Sequence, residues 1–277
     1  MMLKKVESFS RYQEIVDLYG QRGCASNDYI QREAADLIVH DSLYEYCGER
    51  NVFLLVKKDG FWRVYFYLND FDEILSLQGE VLETEILFRG SLGEPADVVA
   101  YLEQCGFRRH LVRDQYAGIY KDLLPARINE EIIVQPAQTL AGVQGAFELF
   151  NQSFDRYSGD YVSPEVYDRL LASGSVLLAW RRHEDEARFI GALHQTVENN
   201  VAWVSHLAVK DSARGQHVGQ ALLDAFVERN MVTDKSRYML WVQHENQAAV
   251  SMYERKGFHY LGKSSLSLIK LLSDHAS

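Results

Sequence analysis

The sequence contains few prolines, few cysteines and no long hydrophobic run. Four prolines in 277 residues leave no proline-rich linker, so domain boundaries have to be read from the pattern of helices and strands. The three cysteines, Cys24, Cys47 and Cys105, are an odd number without metal-ligand spacing, which argues against a disulfide framework and against a metal site. No stretch reaches the ~20 apolar residues that span a bilayer, and the N-terminus has no apolar signal-peptide core. We therefore expect a soluble, cytoplasmic protein with no metal and no membrane partner.

Basic residues are also scarce relative to acidic ones, with 29 Lys and Arg against 39 Asp and Glu and a formal net charge of −10. Binding to nucleic acid depends on clustered Lys and Arg, so we expect no nucleic-acid partner. The acidity would attract a cationic small molecule, but solubility alone explains it equally well.

The chain is long enough for two domains, and its two halves resemble each other. Each half contains a predicted hairpin, in NVFLLVKKDGFWRVYFYL and in SVLLAWRRHEDEARFIGALHQTV. Each also contains a predicted helix that ends at Gly-Phe, with Gly106 and Gly257 suited to the left-handed position after a helix. Placing the boundary within Lys121–Glu131 predicts domains at 1–125 and 126–277.

The second half shows helices and strands in alternation, which predicts a mixed α/β sheet. A strand at 132–134 precedes a helix at 138–151 and a helix opened by Ser163-Pro164. After the hairpin come the strand VAWVSHLAV, a helix to about Asn230, the strand RYMLWVQ, a last helix and two strands.

The segment DSARGQHVGQALL joins one of these strands to a helix through closely spaced glycines. Amides at a helix N-terminus are unsatisfied donors at the positive end of the dipole, so such a turn can hold a phosphate. A tight corner without a ligand is the alternative interpretation. The segment lacks the Gly-Lys-Ser/Thr ending of a nucleotide P-loop and the three glycines of a dinucleotide fingerprint.

The Arg-Gly-x-x-x-Gly-x-Ala-Leu-Leu pattern in this segment resembles the pyrophosphate-binding motif of the GNAT superfamily, the acetyl-CoA-dependent N-acetyltransferases. A second motif, NQAAVSMYERKGF, is similar to the pattern that follows in these enzymes, with Asn246, Ala249, Tyr253, Gly257 and Phe258 at the matching positions. The resemblance covers about residues 131–272. It implies the GNAT fold, a mixed and mostly antiparallel sheet flanked by helices, with acetyl-CoA as the acyl donor and no metal.

The resemblance also assigns roles to individual residues. It assigns these residues to acetyl-CoA: Leu207, Ala208, Val209, Arg214, Gly215, Gln216, His217, Val218, Gly219, Gln220, Asn246 and Tyr253. The amides from Gln216 to Gln220 would hold the pyrophosphate, and Tyr253 would protonate the leaving thiolate. On the residues alone, Asn246 serves equally well as a helix cap and Tyr253 as a core aromatic. His217 departs from the family, which often has glycine there, and its ring either faces a phosphate of CoA or faces solvent.

The general base is less well defined by the sequence. Period-two alternation places Trp203, Ser205, Leu207 and Val209 on one face of their strand, and His206 on the other face with Val204 and Ala208. Members of the GNAT superfamily often have a basic or water-holding group four and six residues before the position of Val209. The resemblance therefore implies that Ser205 positions a catalytic water and that Trp203 lines the acceptor pocket, with His194 on the neighbouring strand in reserve. Phe154, Tyr157 and Tyr161 are candidate acceptor-binding residues, although their segment also suits an ordinary helix connection.

The first half lacks the residues on which this activity depends. Alignment of the Gly-Phe corners puts Leu102 opposite Tyr253 and Pro95 opposite Asn246, and no Arg-Gly-x-x-x-Gly turn precedes the short helix. We predict a tandem protein with a degenerate GNAT-like N-terminal domain and one active site. It would acetylate a primary amine of a small molecule, amino acid or peptide, and a homodimer is possible in this family. The alternative is a catalytically silent acetyl-CoA-binding protein.

Overall fold

A computed structural model describes residues 2–77, 80–124, 131–157, 162–183 and 186–271. The chain forms two compact units, Met1–Val112 with Lys263–Ser277, and Arg113–Gly262. The units differ from the continuous domains 1–125 and 126–277 predicted from the sequence. The reason is that the strand after each Gly-Phe corner is divided between the units, which the local pattern of the sequence does not reveal.

The helices and strands of the first half are β1 (Lys4–Lys5), α1 (Phe9–Tyr19), β2 (Ala25–Ser26), α2 (Ala34–Val39), β3 (Leu43–Cys47), β4 (Val52–Lys57), β5 (Trp62–Leu68), β6 (Leu82–Arg89), α3 (Ala96–Gln104) and β7 (Arg108–Ile119). Those of the second half are β8 (Ile132–Pro136), α4 (Leu140–Ser153), α5 (Tyr167–Ser173), β9 (Val176–His183), β10 (Glu186–Glu198), β11 (Val201–Val209), α6 (Val218–Arg229), β12 (Arg237–Gln243), α7 (Gln247–Lys256) and β13 (His259–Lys270).

In the first unit, the sheet runs in the order β1, β3, β4, β5, β6, and residues 263–270 of β13 pair with β6. The β5–β6 pair is parallel, and the other pairs along this path are antiparallel. Helix α1 buries Tyr12 and Ile15 in one apolar cluster, and α3 buries Val99 and Leu102 in another.

The second unit repeats this plan. Residues 113–119 of β7 are followed in the sheet by β12, β11, β10, β9 and β8, and only the β11–β12 pair is parallel. Helices α4 and α5 cover one face of the sheet, and α6 and α7 cover the other. The predicted fold class, a mixed and mostly antiparallel sheet flanked by helices, is confirmed.

Helices α4 and α5 show capping at their ends. Thr139 caps α4 by accepting from the Gly142 amide, and Gly174 ends α5 in the left-handed region at φ 62°. Two local predictions need correction. The Ser163-Pro164 start gives a 3-10 turn at Pro164–Val166 before α5, and one continuous strand, β13, follows α7 instead of two.

The two Gly-Phe corners have the same hydrogen bonds. Gly106 and Gly257 have φ values of 93° and 107°, so the predicted left-handed conformation is confirmed at both. The amide of Phe107 donates to the carbonyl of Leu102, and that of Phe258 donates to the carbonyl of Tyr253, at 2.9 and 3.0 Å. This matching geometry supports the predicted equivalence of the two halves.

The two halves differ in the segment that connects the two strands of the parallel pair. Helix α6 joins β11 to β12, whereas no helix joins β5 to β6 in the described residues of that connection, 69–77 and 80–81. Leu75 in this connection is fully buried in the cluster that contains α3. Pro95, which precedes α3, provides no side-chain cap, in contrast with Asn246 before α7.

Candidate active site

The glycine turn ends at the start of α6, where backbone amides lack partners. Gly215 and His217 have φ values of 73° and 63°, and the side chain of His217 does not cap the helix. The first helical hydrogen bond runs from the Ala221 amide to the His217 carbonyl. Within the described residues, the amides of Gln216 through Gln220 have no acceptor, so this helix end presents several donors to an anion.

Side chains around the turn are engaged with the protein itself. Arg214 pairs with Asp211 across 2.8 Å, Gln216 donates to the Ser212 carbonyl, and Gln220 donates to Asp224. The ring of His217 is exposed to solvent. The predicted contribution of this segment to ligand binding therefore depends mainly on its backbone.

A close helix contact explains the second glycine of the motif. A Cβ added to Gly219 would lie 3.0 Å from Sδ of Met252 on α7 and 3.7 Å from Leu207 on β11. The missing side chain lets α6 begin close to both elements.

A cleft opens between β11 and β12 beside this helix start. Their parallel pairing joins residues 201–204 to residues 237–240 and stops there, although β11 continues to Val209 and β12 to Gln243. The far edge of β11 stays paired with β10 as far as Val209. The edge that faces the cleft near Leu207 and Val209 can therefore bind an extended polar chain by backbone hydrogen bonds.

A β-bulge in β11 changes the predicted faces of this strand. Val204 pairs with Gln195 and His206 pairs with His194, so Ser205 is the extra residue. Val204, Leu207 and Val209 consequently belong to the core of α6 and α7, whereas Ala208 belongs to the core of α4. The predicted strict alternation was wrong, because a bulge shifts the side-chain period by one residue.

The correction matters most for His206 and Ser205. His206 lies on the α4 face, where its ring stacks on that of His194, and it does not share a face with Val204. The hydroxyl of Ser205 lies 3.3 Å from that of Thr196 on β10. Ser205 and His206 therefore both lie close to Trp203 and Phe154, the residues predicted to line the acceptor pocket.

A cavity of about 400 Å³ lies within the second unit at the cleft. Six predicted site residues line it: Phe154, Trp203, Ser205, Leu207, Asn246 and Tyr253. Twelve further residues complete the lining: Arg113, Ser153, Asp155, Thr196, Glu198, Val204, His206, Trp241, Val242, Gln243, Ala249 and Met252. Ala208, Val209 and the turn at 214–220 lie outside this lining, as does Tyr157, whose amide donates to Asp155. Tyr161 lies outside the described residues.

Tyr253 and Asn246 both line the cavity from α7. The ring of Tyr253 is 6 % exposed and packs against Phe258, and its hydroxyl has no hydrogen-bond partner within the described residues. Burial raises the pKa of this hydroxyl well above its ordinary value, so it stays protonated. Asn246 caps α7, because its side-chain oxygen accepts from the Ala249 amide at 3.1 Å.

Several lining residues were missed by sequence reasoning. Arg113 comes from β7, and Thr196 and Glu198 come from the end of β10. Trp241 and Gln243 lie on β12, at the end that separates from β11. The family-like motifs do not include these positions, and no other signal in the sequence brings them to the site.

The described residues contain neither a cluster that suits a metal ion nor a membrane-spanning helix. Among the residues that the structure describes, no cluster of three or more His, Cys, Asp or Glu side chains suits a metal ion. None of the described helices is long and apolar enough to cross a membrane.

The sequence profile of the acetyltransferase (GNAT) family matches residues 143–258, which contain the α6 turn, the cleft and α7. The second unit therefore contains the region that is similar to the GNAT acetyltransferase family. GNAT proteins use acetyl-CoA as their acyl donor, and the family and the fold together support an acyltransferase. No curated protein matches the chain.

Solved structures with the GNAT fold cover both units. A GCN5-related N-acetyltransferase from Sphaerobacter thermophilus is 15% identical, with 97% of this chain and 95% of that chain covered and a TM-score of 0.61. A GCN5-related N-acetyltransferase from Kribbella flavida is 13% identical, with coverages of 91% and 99% and a TM-score of 0.53. A tandem GNAT protein from the clavulanic acid biosynthesis pathway is 12% identical, with both chains 97% covered and a TM-score of 0.56. These likenesses concern the fold, and the last one supports the predicted tandem arrangement.

Proposed function

We propose that this protein transfers an acetyl group directly from acetyl-CoA to a primary amine of a small molecule, an amino acid or a peptide. One observation carries the proposal: the uncapped start of α6 lies beside a cleft whose cavity is lined by the Tyr253 side chain. An anion-binding helix end, an open strand edge and a buried acid would then serve successive parts of one donor.

The residues present fit acetyl-CoA. The open amides from Gln216 to Gln220 suit a pyrophosphate, and the Cβ-free Gly219 lets the helix start approach β11. The free edge of β11 at Leu207 and Val209 suits the amide groups of a pantetheine arm. Because the side-chain oxygen of Asn246 caps α7, its NH₂ group is the part that would contact this arm. The donor supplies a thioester, whose carbonyl carbon is the electrophile.

Tyr253 is the proposed general acid. Its hydroxyl remains protonated in the buried cavity and can give a proton to the departing sulfur. The acceptor side is formed by Phe154 at the end of α4 and by Trp203 and Ser205 on β11. Ser205 cannot itself be a strong base near neutral pH, so it would position the amine or a water.

The experiment mixes the full-length protein with acetyl-CoA and a panel of amines, amino acids and peptides, and follows free thiol. Amine-dependent thiol release, with the acetylated amine identified by mass spectrometry, is the expected result. Binding of acetyl-CoA without turnover of any amine would instead favour the silent acetyl-CoA-binding protein. Absence of acetyl-CoA binding would overturn both.

A further inference from the structure

Two buried histidines form a pair beside the cavity. The rings of His194 on β10 and His206 on β11 are stacked, with centroids 5.7 Å apart and an interplanar angle of 14°. Their Nδ1 atoms are 3.4 Å apart, a distance at which one Nδ1 can donate to the other.

The surroundings of the pair are aromatic. The ring of His206 stacks on Phe150 at 5.1 Å and meets Phe154 edge-on at 5.2 Å. Phe147 lies 5.4 Å from the His194 ring and 6.3 Å from the His206 ring. These aromatic neighbours on α4 and at its C-terminal end fix the orientation of both imidazole rings.

The bulge at Ser205 brings one member of the pair to the cavity. His206 lines the cavity with Phe154 and Ser205, at the side where the acceptor is proposed to bind. The charged side chains that line the same cavity are Arg113, Asp155 and Glu198. Among the lining residues, only His206 has a side chain whose ordinary titration falls between pH 5 and 8.

On the basis of the proposed acetyl transfer, we propose that His206 is the general base that takes a proton from the acceptor amine, and that His194 is the residue that positions it. In the active tautomer, Nδ1–H of His206 donates to Nδ1 of His194. Nε2 of His206 then has the lone pair that accepts the proton. The arrangement gives His194 the orienting role that a carboxylate often has beside a catalytic histidine.

The protons and bonds of the step balance. The acceptor ammonium gives one proton to Nε2 of His206, and the neutral nitrogen attacks the thioester carbonyl carbon, so that a C–N bond forms and the C–S bond breaks. The sulfur leaves with the electron pair of that bond and takes the proton of Tyr253. The attacking nitrogen loses its second proton, which restores Tyr253 through solvent, and His206 returns its proton to solvent.

The first experiment compares the pH dependence of kcat/KM in the wild type, His206→Gln and the control His259→Gln, which changes an exposed histidine of the same unit. We expect His206→Gln to lower kcat/KM by ~10²- to 10⁴-fold and to remove the acidic limb between pH 5 and 8. The acetyl-CoA Kd of His206→Gln, measured by calorimetry, should match that of the wild type and shows that the variant is folded. His259→Gln should leave both quantities unchanged.

The second experiment tests the pair without turnover. Imidazole resonances of the wild-type protein are followed by NMR from pH 5 to 8, with assignment by the His206→Gln and His194→Gln spectra. The His206 resonance should titrate over the same range as the acidic limb, and His194→Gln should displace that limb and lower kcat by less than His206→Gln does. A His206 ring that shows no titration over the range of the limb would overturn the proposal even if His206→Gln proved unstable.

The competing hypothesis is that a carboxylate of the same cavity, and not His206, is the general base. If Asp155→Asn or Glu198→Gln removes the acidic limb while His206→Gln retains it, the base is that carboxylate and the inference is wrong. If the wild type turns over no amine at all, the proposed function fails instead, so the two failures are distinguishable.

Discussion

Lys256 in the last turn of α7 places Nζ 2.6 Å from Oδ1 of Asp224 on α6, and both side chains are buried. Nζ of Lys256 also donates to the carbonyl of Leu124 at 2.6 Å, and Gln220 donates to the same Asp224 oxygen. This network connects the helix that begins at the glycine turn to the helix that carries Tyr253. It therefore holds the proposed pyrophosphate and acid groups in a fixed geometry.

Breaking this ion pair on one side should be costly. Lys256→Met leaves the buried Asp224 without its cation, and we expect it to lower the free energy of unfolding by about 3 kcal/mol. The double variant Asp224→Leu/Lys256→Met should lose clearly less than the two single variants together, because no unpaired charge remains. Urea denaturation of the four proteins gives the double-mutant cycle. Additive losses would show that the pair is not coupled.

The close contact between α6 and α7 at Gly219 predicts how an alanine substitution there changes stability and acetyl-CoA binding. Alanine normally stabilises a helix interior over glycine by up to ~1 kcal/mol, and Gly145 in α4, with no atom within 4 Å of an added Cβ, should show this gain. At Gly219 the new Cβ meets Met252, so Gly219→Ala should gain less and should weaken acetyl-CoA binding. Thermal unfolding and calorimetry measure the two effects. Equal stability gains at both sites, with unchanged acetyl-CoA Kd values, would contradict the argument.

His217 occupies a backbone conformation that favours glycine, with φ 63°. A non-glycine residue there costs roughly 1–2 kcal/mol, so His217→Gly should be more stable than His217→Ala by about 1 kcal/mol. Because the predicted ligand group is the backbone amide, His217→Gly should retain acetyl-CoA binding. A large loss of affinity in both variants would instead assign the role to the imidazole, facing a phosphate of CoA.

The acid role of Tyr253 predicts a specific pH behaviour. Tyr253→Phe should lower kcat by ~100-fold, within the range of general acid catalysis. Burial raises the pKa of Tyr253, so the acid form persists through pH 10, where an exposed tyrosine ionises. The ratio of wild-type to variant kcat should therefore stay constant from pH 6 to 9.5. Tyr260→Phe is the control, because Tyr260 is 40 % exposed and outside the cavity lining. A kcat for Tyr253→Phe equal to that of the wild type across this range would remove Tyr253 from the mechanism.

Sequence patterns predicted those features that depend on neighbours along the chain. The cap at Asn246, the left-handed Gly106 and Gly257 and the order of strands along the chain follow from local propensities, and the structure contains them. The ion pair between Lys256 and Asp224 has no such local signal, because only tertiary packing brings the two side chains together.

The site itself was predictable only in part for the same reason. The bulge at Ser205 depends on pairing with β10 and has no glycine or proline to signal it, so strict alternation misplaced His206. Arg113 and Glu198 reach the cavity from strands distant in sequence, and neither lies in a motif.

The first unit should not bind acetyl-CoA, which predicts one site per chain. Its connection between β5 and β6 has no helix in the described residues, and it is tied down by its own contacts. The carboxylate of Glu73 accepts from the amides of Arg50 and Asn51 at 2.9 and 2.8 Å, and Leu75 is buried in the core. Without a helix N-terminus in the described part of this connection, the first unit has no counterpart there of the pyrophosphate cradle at the start of α6.

Calorimetric titration of the full chain with acetyl-CoA should therefore give a stoichiometry near one. Gly219→Val, which crowds only the α6 contact, should weaken all of the binding at once. If about half of the sites remained at full affinity in this variant, the second site would have to lie in the first unit. That result would show that a GNAT-like unit can hold acetyl-CoA without the glycine turn.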